Sequence, residues 1–116
     1  MQQAVTFPSG SVNFMFQSSF EALWETYDQR QVVIVTNETI ARLYKHLFKG
    51  LRILVLPPEE NSKDMQTIGS LARQLLDLKA TRQTLLIGVG GGVITDITGF
   101  LASVYLRGVA FGFVPT

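Results

Sequence analysis

Leu85-Leu86-Ile87-Gly88-Val89-Gly90-Gly91-Gly92-Val93-Ile94-Thr95-Asp96 is the stretch that decides the fold of this chain. A short apolar run leads into three consecutive glycines. An apolar segment follows with one acid, Asp96, near its start. The pattern reads as strand, glycine turn and helix. Such a turn lets backbone N–H groups approach a phosphate at the positive end of a helix dipole. A tight strand–helix connection without a ligand would use the same glycines. They do not match the dinucleotide fingerprint G-x-G-x-x-G: counted from Gly88 the sixth position is Val93, and from Gly90 it is Thr95. A P-loop lysine is absent as well.

Outward from this turn, the chain alternates strands and helices. Thr84 to Gly88 reads as a buried strand, the helix after the glycines as running to about Leu106, and Val109 to Val114 as a further strand. On the other side, Val32 to Val35 is a continuous β-branched run, the mark of a strand buried on both faces. Thr36-Asn37 then cap a helix from Glu38 to Phe48, with Ile40, Leu43, Tyr44 and Leu47 as its inner stripe and Gly50 as its left-handed stop. Leu51 to Leu56 is a strand stopped by Pro57-Pro58. A helix capped by Asn61 follows to about Lys79, with Met65, Ile68, Leu71, Ala72, Leu75 and Leu78 at helical spacing. Before all of these, Gln3–Phe7 and Val12–Phe16 flank Pro8-Ser9-Gly10-Ser11 as a hairpin. A short helix up to Tyr27 puts Phe20, Leu23 and Trp24 on one face. The expected fold is therefore α/β: a Rossmann-like open, mainly parallel sheet with helices on both faces and an N-terminal β-hairpin. Ligands in such sheets bind beyond the carboxyl ends of the strands. That rim gathers Thr36-Asn37, Pro57 to Lys63, Gly88 to Gly92 and Pro115-Thr116.

The bulk numbers narrow the function. The chain has 116 residues, 47% of them hydrophobic and 16% charged, enough for one domain with a core. A net charge of +1 supplies no electrostatic attraction for nucleic acid or an anionic membrane. With no cysteine and one histidine, thiolate chemistry is excluded and a His-based metal site within the chain is not expected. His46 reads as a solvated helix residue. Met1 to Gly10 does not have the form of a signal peptide. The apolar run from Leu85 to Leu106 is not read as a membrane span. Asp96 at the bilayer centre would cost about 2.5–3.5 kcal/mol, and the glycines would break the helix. A cytoplasmic protein is expected. The helix from Val93 to Leu106 is apolar nearly all round, which calls for a covering on its far side too.

The candidate site residues carry open alternatives when read locally. Asp96 can serve the helix dipole or accept hydrogen bonds from ribose hydroxyls. Glu60 and Lys63 can be a solvated i,i+3 pair or a polar element of the rim. Arg107 can favour a helix C-terminus or contact an anion bidentately.

Gly90-Gly91-Gly92-Val93-Ile94-Thr95-Asp96-Ile97-Thr98-Gly99-Phe100-Leu101-Ala102, then Tyr105-Leu106-Arg107-Gly108-Val109 and Val114-Pro115-Thr116, closely resembles the 3-dehydroquinate synthase family. Val35 to Thr39 and Glu60 to Lys63 resemble two earlier motifs of that family, in the right order and spacing. Thr95 departs from a frequent glycine of the family, and Glu59 from another. The resemblance implies that residues 1–116 are the NAD-binding N-terminal domain of a longer two-domain enzyme. Its C-terminal metal-binding domain, for zinc or cobalt, is not in this chain. It implies conversion of 3-deoxy-arabino-heptulosonate 7-phosphate to 3-dehydroquinate and phosphate in the shikimate pathway, by a homodimer acting on a sugar phosphate. By position, Asn37, Glu60 and Lys63 resemble residues on the adenosine side of NAD. Gly90, Gly91 and Gly92 resemble the pyrophosphate turn, and Asp96 and Thr116 resemble contacts toward the nicotinamide half. Arg107 resembles an arginine that reaches the substrate of a neighbouring subunit. No catalytic residue and no metal ligand is carried over. The alternatives are a related sugar-phosphate cyclase of valiolone or inosose type, and a non-catalytic nucleotide-binding or interaction module.

Overall fold

Five consecutive residues, Val32 to Thr36, have no solvent exposure at all. A strand reaches that state only with a neighbour on each edge and a layer over each face. This computed structural model describes residues 2–7, 10–15, 27–57 and 65–114. In chain order the elements are β1 (Gln2–Phe7), β2 (Gly10–Met15), β3 (Val32–Asn37), α1 (Glu38–Leu43), β4 (Arg52–Leu56), α2 (Met65–Asp77), β5 (Leu85–Val89), α3 (Gly92–Val104) and β6 (Ala110–Val114). Strands β3 to β6 form one parallel sheet in the order β4-β3-β5-β6, with Val35 beside Leu54 on one edge and Gly88 on the other. The open parallel α/β sheet expected from the sequence is thus present. β1 and β2 form the antiparallel hairpin, and β2 runs beside β6. The hairpin ladder closes on Phe7 opposite Gly10, so Gly10 and Ser11 are strand residues and not loop.

Alternation along the strands sorts two cores. Val33, Val35, Leu54 and Leu86 face one way, against Ile68, Leu71 and Leu75 of α2 and Ile94, Ile97 and Leu101 of α3. Val32, Ile34, Ile87 and Val89 face the other way, against Phe48, with Tyr27, Leu47 and Leu51 packed around them. Ile40 of α1 touches both cores. The region of the expected helix with Phe20, Leu23 and Trp24 lies outside the described residues.

Three helix ends differ from the periodicity. α1 stops at Leu43, not Phe48, and its expected stripe is broken: Leu43 and Tyr44 are 63% and 39% exposed. Phe48 is the residue buried on the second face. To deliver it there the chain tightens into i→i+3 turns, with Leu47 N donating to Tyr44 O and Phe48 N to Lys45 O. Gly50, at φ +85°, closes these turns and not the helix. α2 ends at Asp77. Ala80 N donates to Leu75 O and Lys79 N to Leu76 O, a Schellman arrangement with Lys79 in the left-handed position at φ +61°. Met65, expected in the buried stripe of α2, is exposed. α3 ends at Val104 because the next residue turns inward. Tyr105 is 3% exposed, and its hydroxyl donates to Ala80 O at 2.8 Å. Leu106, Arg107 and Gly108 then all take positive φ, and Val109 N donates back to Ala102 O as the chain enters β6. Phe100, Val104 and Leu106 are left 40–48% exposed, so the far side of α3 is apolar and uncovered within the described residues.

At the amino-terminal rim, Arg52 holds two segments together. It donates to Leu78 O at 2.8 Å and to Arg30 O at 2.9 Å. Burial pushes the Tyr105 hydroxyl pKa up, and the nearby Arg52 charge opposes this. The unfolded chain therefore ionises Tyr105 first. The stability Tyr105 contributes is complete below its ordinary pKa of about 10 and is lost as pH rises through the higher native value. Tyr105→Phe should cost about 0.5–1.5 kcal/mol in urea unfolding near neutral pH. It should also remove part of the stability loss the wild type shows as pH rises above about 10; an unchanged alkaline loss in the variant would exclude Tyr105 as a source.

Candidate functional site

The chain leaves β3 toward β4 on one side and leaves β5 toward β6 on the other. The carboxyl ends of β3 and β5 are therefore a topological switch point, the place where open α/β sheets leave a crevice. Two interactions hold its floor. Thr36, fully buried, donates its hydroxyl to Val89 O at 2.7 Å, joining the two strand ends. Gly90 N donates to Val114 O at 3.1 Å, joining the turn to β6.

The glycines divide by role. Gly88 and Gly90 serve packing. A β-carbon on Gly88 would lie 2.6 Å from Thr98 Oγ1. Gly90 has φ +147°, and a β-carbon there would overlap Ile94 Cδ1 and press on Ile40 Cδ1. Gly90 is buried beneath its neighbours, and its N–H is engaged by Val114 O. Gly91 and Gly92 have nothing within 4 Å of their missing side chains. Both line a cleft of ≈ 390 Å³ between the start of α3 and the ends of β3 and β4, together with Asn37, Glu38, Leu56 and Pro57. Gly91 is the N-cap of α3 and offers no side-chain cap. The first-turn N–H groups, unpaired within any α-helix, are therefore available where the helix dipole is positive. Thr95 does not take this place: its hydroxyl donates to Gly92 O at 2.8 Å.

Asn37 ends β3 and caps α1, its Oδ1 accepting from Ile40 N at 2.8 Å. With that oxygen engaged, its amide nitrogen is the group that can donate to a ligand. Asp96 is exposed and is the fifth residue of α3, outside the first turn, so dipole capping does not account for it. The cleft takes Val93, Ile94 and Ile97 from α3, while Asp96 lies on the exposed stripe one turn beyond Gly92. Arg107 is at the other end of α3, about 20 Å along the axis at 1.5 Å per residue. It is exposed, with φ +70°. The structure therefore gathers Asn37, Gly91 and Gly92 and does not bring Arg107 to them. Glu60, Lys63 and Thr116, and the cap Asn61, lie outside the described residues.

Glu38 was read from the sequence only as the start of a helix and part of a motif. It lines this cleft and also a second groove of ≈ 440 Å³ bounded by Val55, Pro57, Ser70 and Gln74. Its sequence signal was its place directly after a strand tip. Among the described residues, no three His, Cys, Asp or Glu side chains converge to hold a metal ion. Nor is any described helix long and apolar enough to cross a membrane. The run from Leu85 to Leu106 is divided among a strand, the glycine turn and a helix, as the sequence predicted.

Residues 53–116 match the family description "3-dehydroquinate synthase N-terminal". The chain belongs to the 3-dehydroquinate synthase family. Among curated relatives, the 3-dehydroquinate synthase of Pyrococcus furiosus is 40% identical over 105 residues, covering 85% of this chain and 31% of that protein. That of Nitrosospira multiformis is 41% identical over 104 residues, covering 83% and 28%. The chain thus spans about a third of the length of the family members it matches. The crystal structure of a 2-deoxy-scyllo-inosose synthase shares the fold, with TM-score 0.79 and 23% identity over the whole chain and 36% of that protein. A 2-epi-5-epi-valiolone synthase from Streptomyces hygroscopicus, solved with NAD+ and Zn2+ bound, gives TM-score 0.62 and 26% identity over 73% of this chain and 27% of that protein.

The division of the family's glycine turn into packing and open positions is directly testable. Gly90→Ala forces a side chain onto Ile94 in a left-handed backbone and should destabilise by about 1–3 kcal/mol or more. Gly92→Ala has open space and lies in a helix, so it should hold or raise stability by about 0.5–1 kcal/mol. Thermal unfolding of the two variants checks this; equal losses would mean the turn is packed alike at both positions.

Proposed function

We propose that this chain is the NAD-binding region of a 3-dehydroquinate synthase, an enzyme of carbon–oxygen lyase type. The observation that carries the reading is the open start of α3 at Gly91-Gly92, facing the cleft at the ends of β3 and β4. Family membership supports it. A solved cyclase of like fold is described with carbaglucose-6-phosphate, NAD+ and Co2+ bound. The curated relatives near 40% identity are dehydroquinate synthases, whereas the inosose and valiolone cyclases stand at 23–26%. That difference favours the first reaction over its sister cyclisations.

In the proposed reaction, 3-deoxy-arabino-heptulosonate 7-phosphate loses phosphate and closes to 3-dehydroquinate, a step of the shikimate pathway toward aromatic amino acids. NAD, when bound, supplies reversible hydride exchange. The contribution of this chain is to bind and orient. The first-turn N–H groups of α3 hold the pyrophosphate without needing a cation. Open space above Gly91 and Gly92 lets it approach the backbone. The Asn37 amide, with Glu60 and Lys63, serves the adenosine side. Asp96 and Thr116 serve the nicotinamide half, and Arg107 serves the substrate in a neighbouring subunit of a cytoplasmic homodimer. The described residues do not fit a divalent metal. We assign zinc or cobalt to a C-terminal domain of the longer protein, and no step is assigned to it here.

The 116-residue chain should bind NAD weakly, since only part of the cofactor cleft is present, and should show no synthase turnover with NAD and zinc. Calorimetry at millimolar NAD measures the first; no heat would refute the site. In a full-length enzyme, Asp96→Ala should lower cofactor retention on purification. Undiminished occupancy would remove Asp96 from the site.

A further inference from the structure

Leu106, Arg107 and Gly108 follow one another at φ +47°, +70° and +115°. Gly108 takes that region freely, but Leu106 and Arg107 each press a β-carbon toward the following carbonyl oxygen. Neighbouring residues keep an unfavourable backbone only where the surrounding structure over-determines it. Here the turn is tied on both sides. Before it, Tyr105 is buried, and its hydroxyl donates to Ala80 O at 2.8 Å. Ala80 is itself fixed, since its N–H donates to Leu75 O at 2.9 Å. After it, Val109 N donates to Ala102 O at 2.9 Å, and across it Gly108 N donates to Tyr105 O at 2.8 Å.

Among the described residues, nothing uses the two side chains held this way. Leu106 and Arg107 are exposed, and neither belongs to a hydrophobic core. The Arg107 guanidinium makes no hydrogen bond or ion pair to a described residue. Glycine at either place would relieve the backbone. The chain carries an arginine there instead, so the turn does not serve packing. A guanidinium with its donors unengaged suits an anionic oxygen group, which it can bind bidentately.

We propose that Tyr105 is a positioning residue for Arg107: by anchoring the end of α3 on Ala80, it holds the left-handed turn that presents the guanidinium to the anionic substrate. The proposal rests on the reading of Arg107 as a substrate contact, and adds to it the residue that sets its geometry. Without the hydroxyl anchor, Leu106 and Arg107 return to the right-handed region that residues with a β-carbon favour. The arginine then leaves the chain from a different side of the turn. Tyr105 itself touches no substrate, and its effect on the reaction passes through Arg107 alone.

The test joins a conformational and a kinetic measurement. In the isotope-labelled 116-residue chain, Leu106 and Arg107 should each show the strong intraresidue HN–Hα cross-peak of a left-handed backbone. Tyr105→Phe, which keeps the ring and removes the hydroxyl, should weaken both peaks. The kinetic part is a double-mutant cycle in the full-length protein, read as kcat/KM for the sugar phosphate well below the unfolding temperature. Arg107→Ala should lower it by about tenfold or more. Tyr105→Phe should lower it by about threefold or more with Arg107 present, and change nothing once Arg107 is replaced. NAD retention should be the same in every variant, which a general loss of structure would not allow. Arg107→Gly should match Arg107→Ala in activity and raise Tm by about 2–4 °C through relief of the backbone. Cross-peaks that persist in Tyr105→Phe, a Tyr105→Phe loss of equal size with and without Arg107, or a lower Tm in Arg107→Gly would overturn the positioning role and leave Arg107 as a substrate contact. No loss in Arg107→Ala would overturn that contact and the proposal together.

Discussion

The pairing of β3 with β5 is the constraint on which the rest of the molecule depends. These strands are far apart in the chain, with β4 and α2 between them, yet they lie side by side in register from Val32 and Leu85 to Val35 and Gly88. The Thr36 hydroxyl extends the join past the last ladder pair by bonding Val89 O. That bond is fully buried, so it is made in a low-dielectric setting where an unpaired carbonyl would be costly. Because β3 and β5 are neighbours, their connections depart in opposite directions. The crevice beside their ends follows from this, and the glycine turn and the β3 tip become its two walls.

The turn is stiff on one side and open on the other. Gly88 packs on Thr98, and Gly90 lies beneath Ile94 and Ile40. These contacts hold the start of α3 at a set height above the sheet. Gly91 and Gly92 are exposed, with open space where a β-carbon would stand, and the first-turn N–H groups of an α-helix have no partner within the helix. The opposite rim is organised for stability instead. There Tyr105, Ala80 and Arg52 join α3, the end of α2 and the start of β4 through buried or half-buried hydrogen bonds to carbonyls. α3 thus links the cleft at its start to an anchoring end. Its exposed face, with Phe100 and Val104, is the part left uncovered.

Much of this was legible in the residues. The β-branched run Val32 to Val35 announced a central strand, and its complete burial agrees. Ile68, Leu71 and Leu75 showed the buried stripe of α2. The glycines announced a strand–turn–helix, and the segment from Gly90 to Thr116 pointed to the family. The ends of the helices were not legible. Helical spacing of Leu43, Tyr44 and Leu47 argued for a longer α1, but the need to place Phe48 over β3 and β5 overrode local propensity. The same holds at Tyr105, whose hydroxyl reaches Ala80 at the cost of left-handed backbone at Leu106 and Arg107.

The sequence by itself determined the element types, the open parallel sheet and the glycine turn with its family. Each of these is encoded by short-range pattern: period two, period three to four, and residues without side chains. Only the tertiary structure decided which strand lies beside β5, which glycines pack and which stay open, and that Glu38 shares a cleft with Gly91 and Gly92. Those facts depend on strand order and on side chains distant in the chain, and no local spacing carries them. The acid at the tip of β3 comes before the glycine turn in sequence and beside it in space, and strand pairing alone converts the one relation into the other.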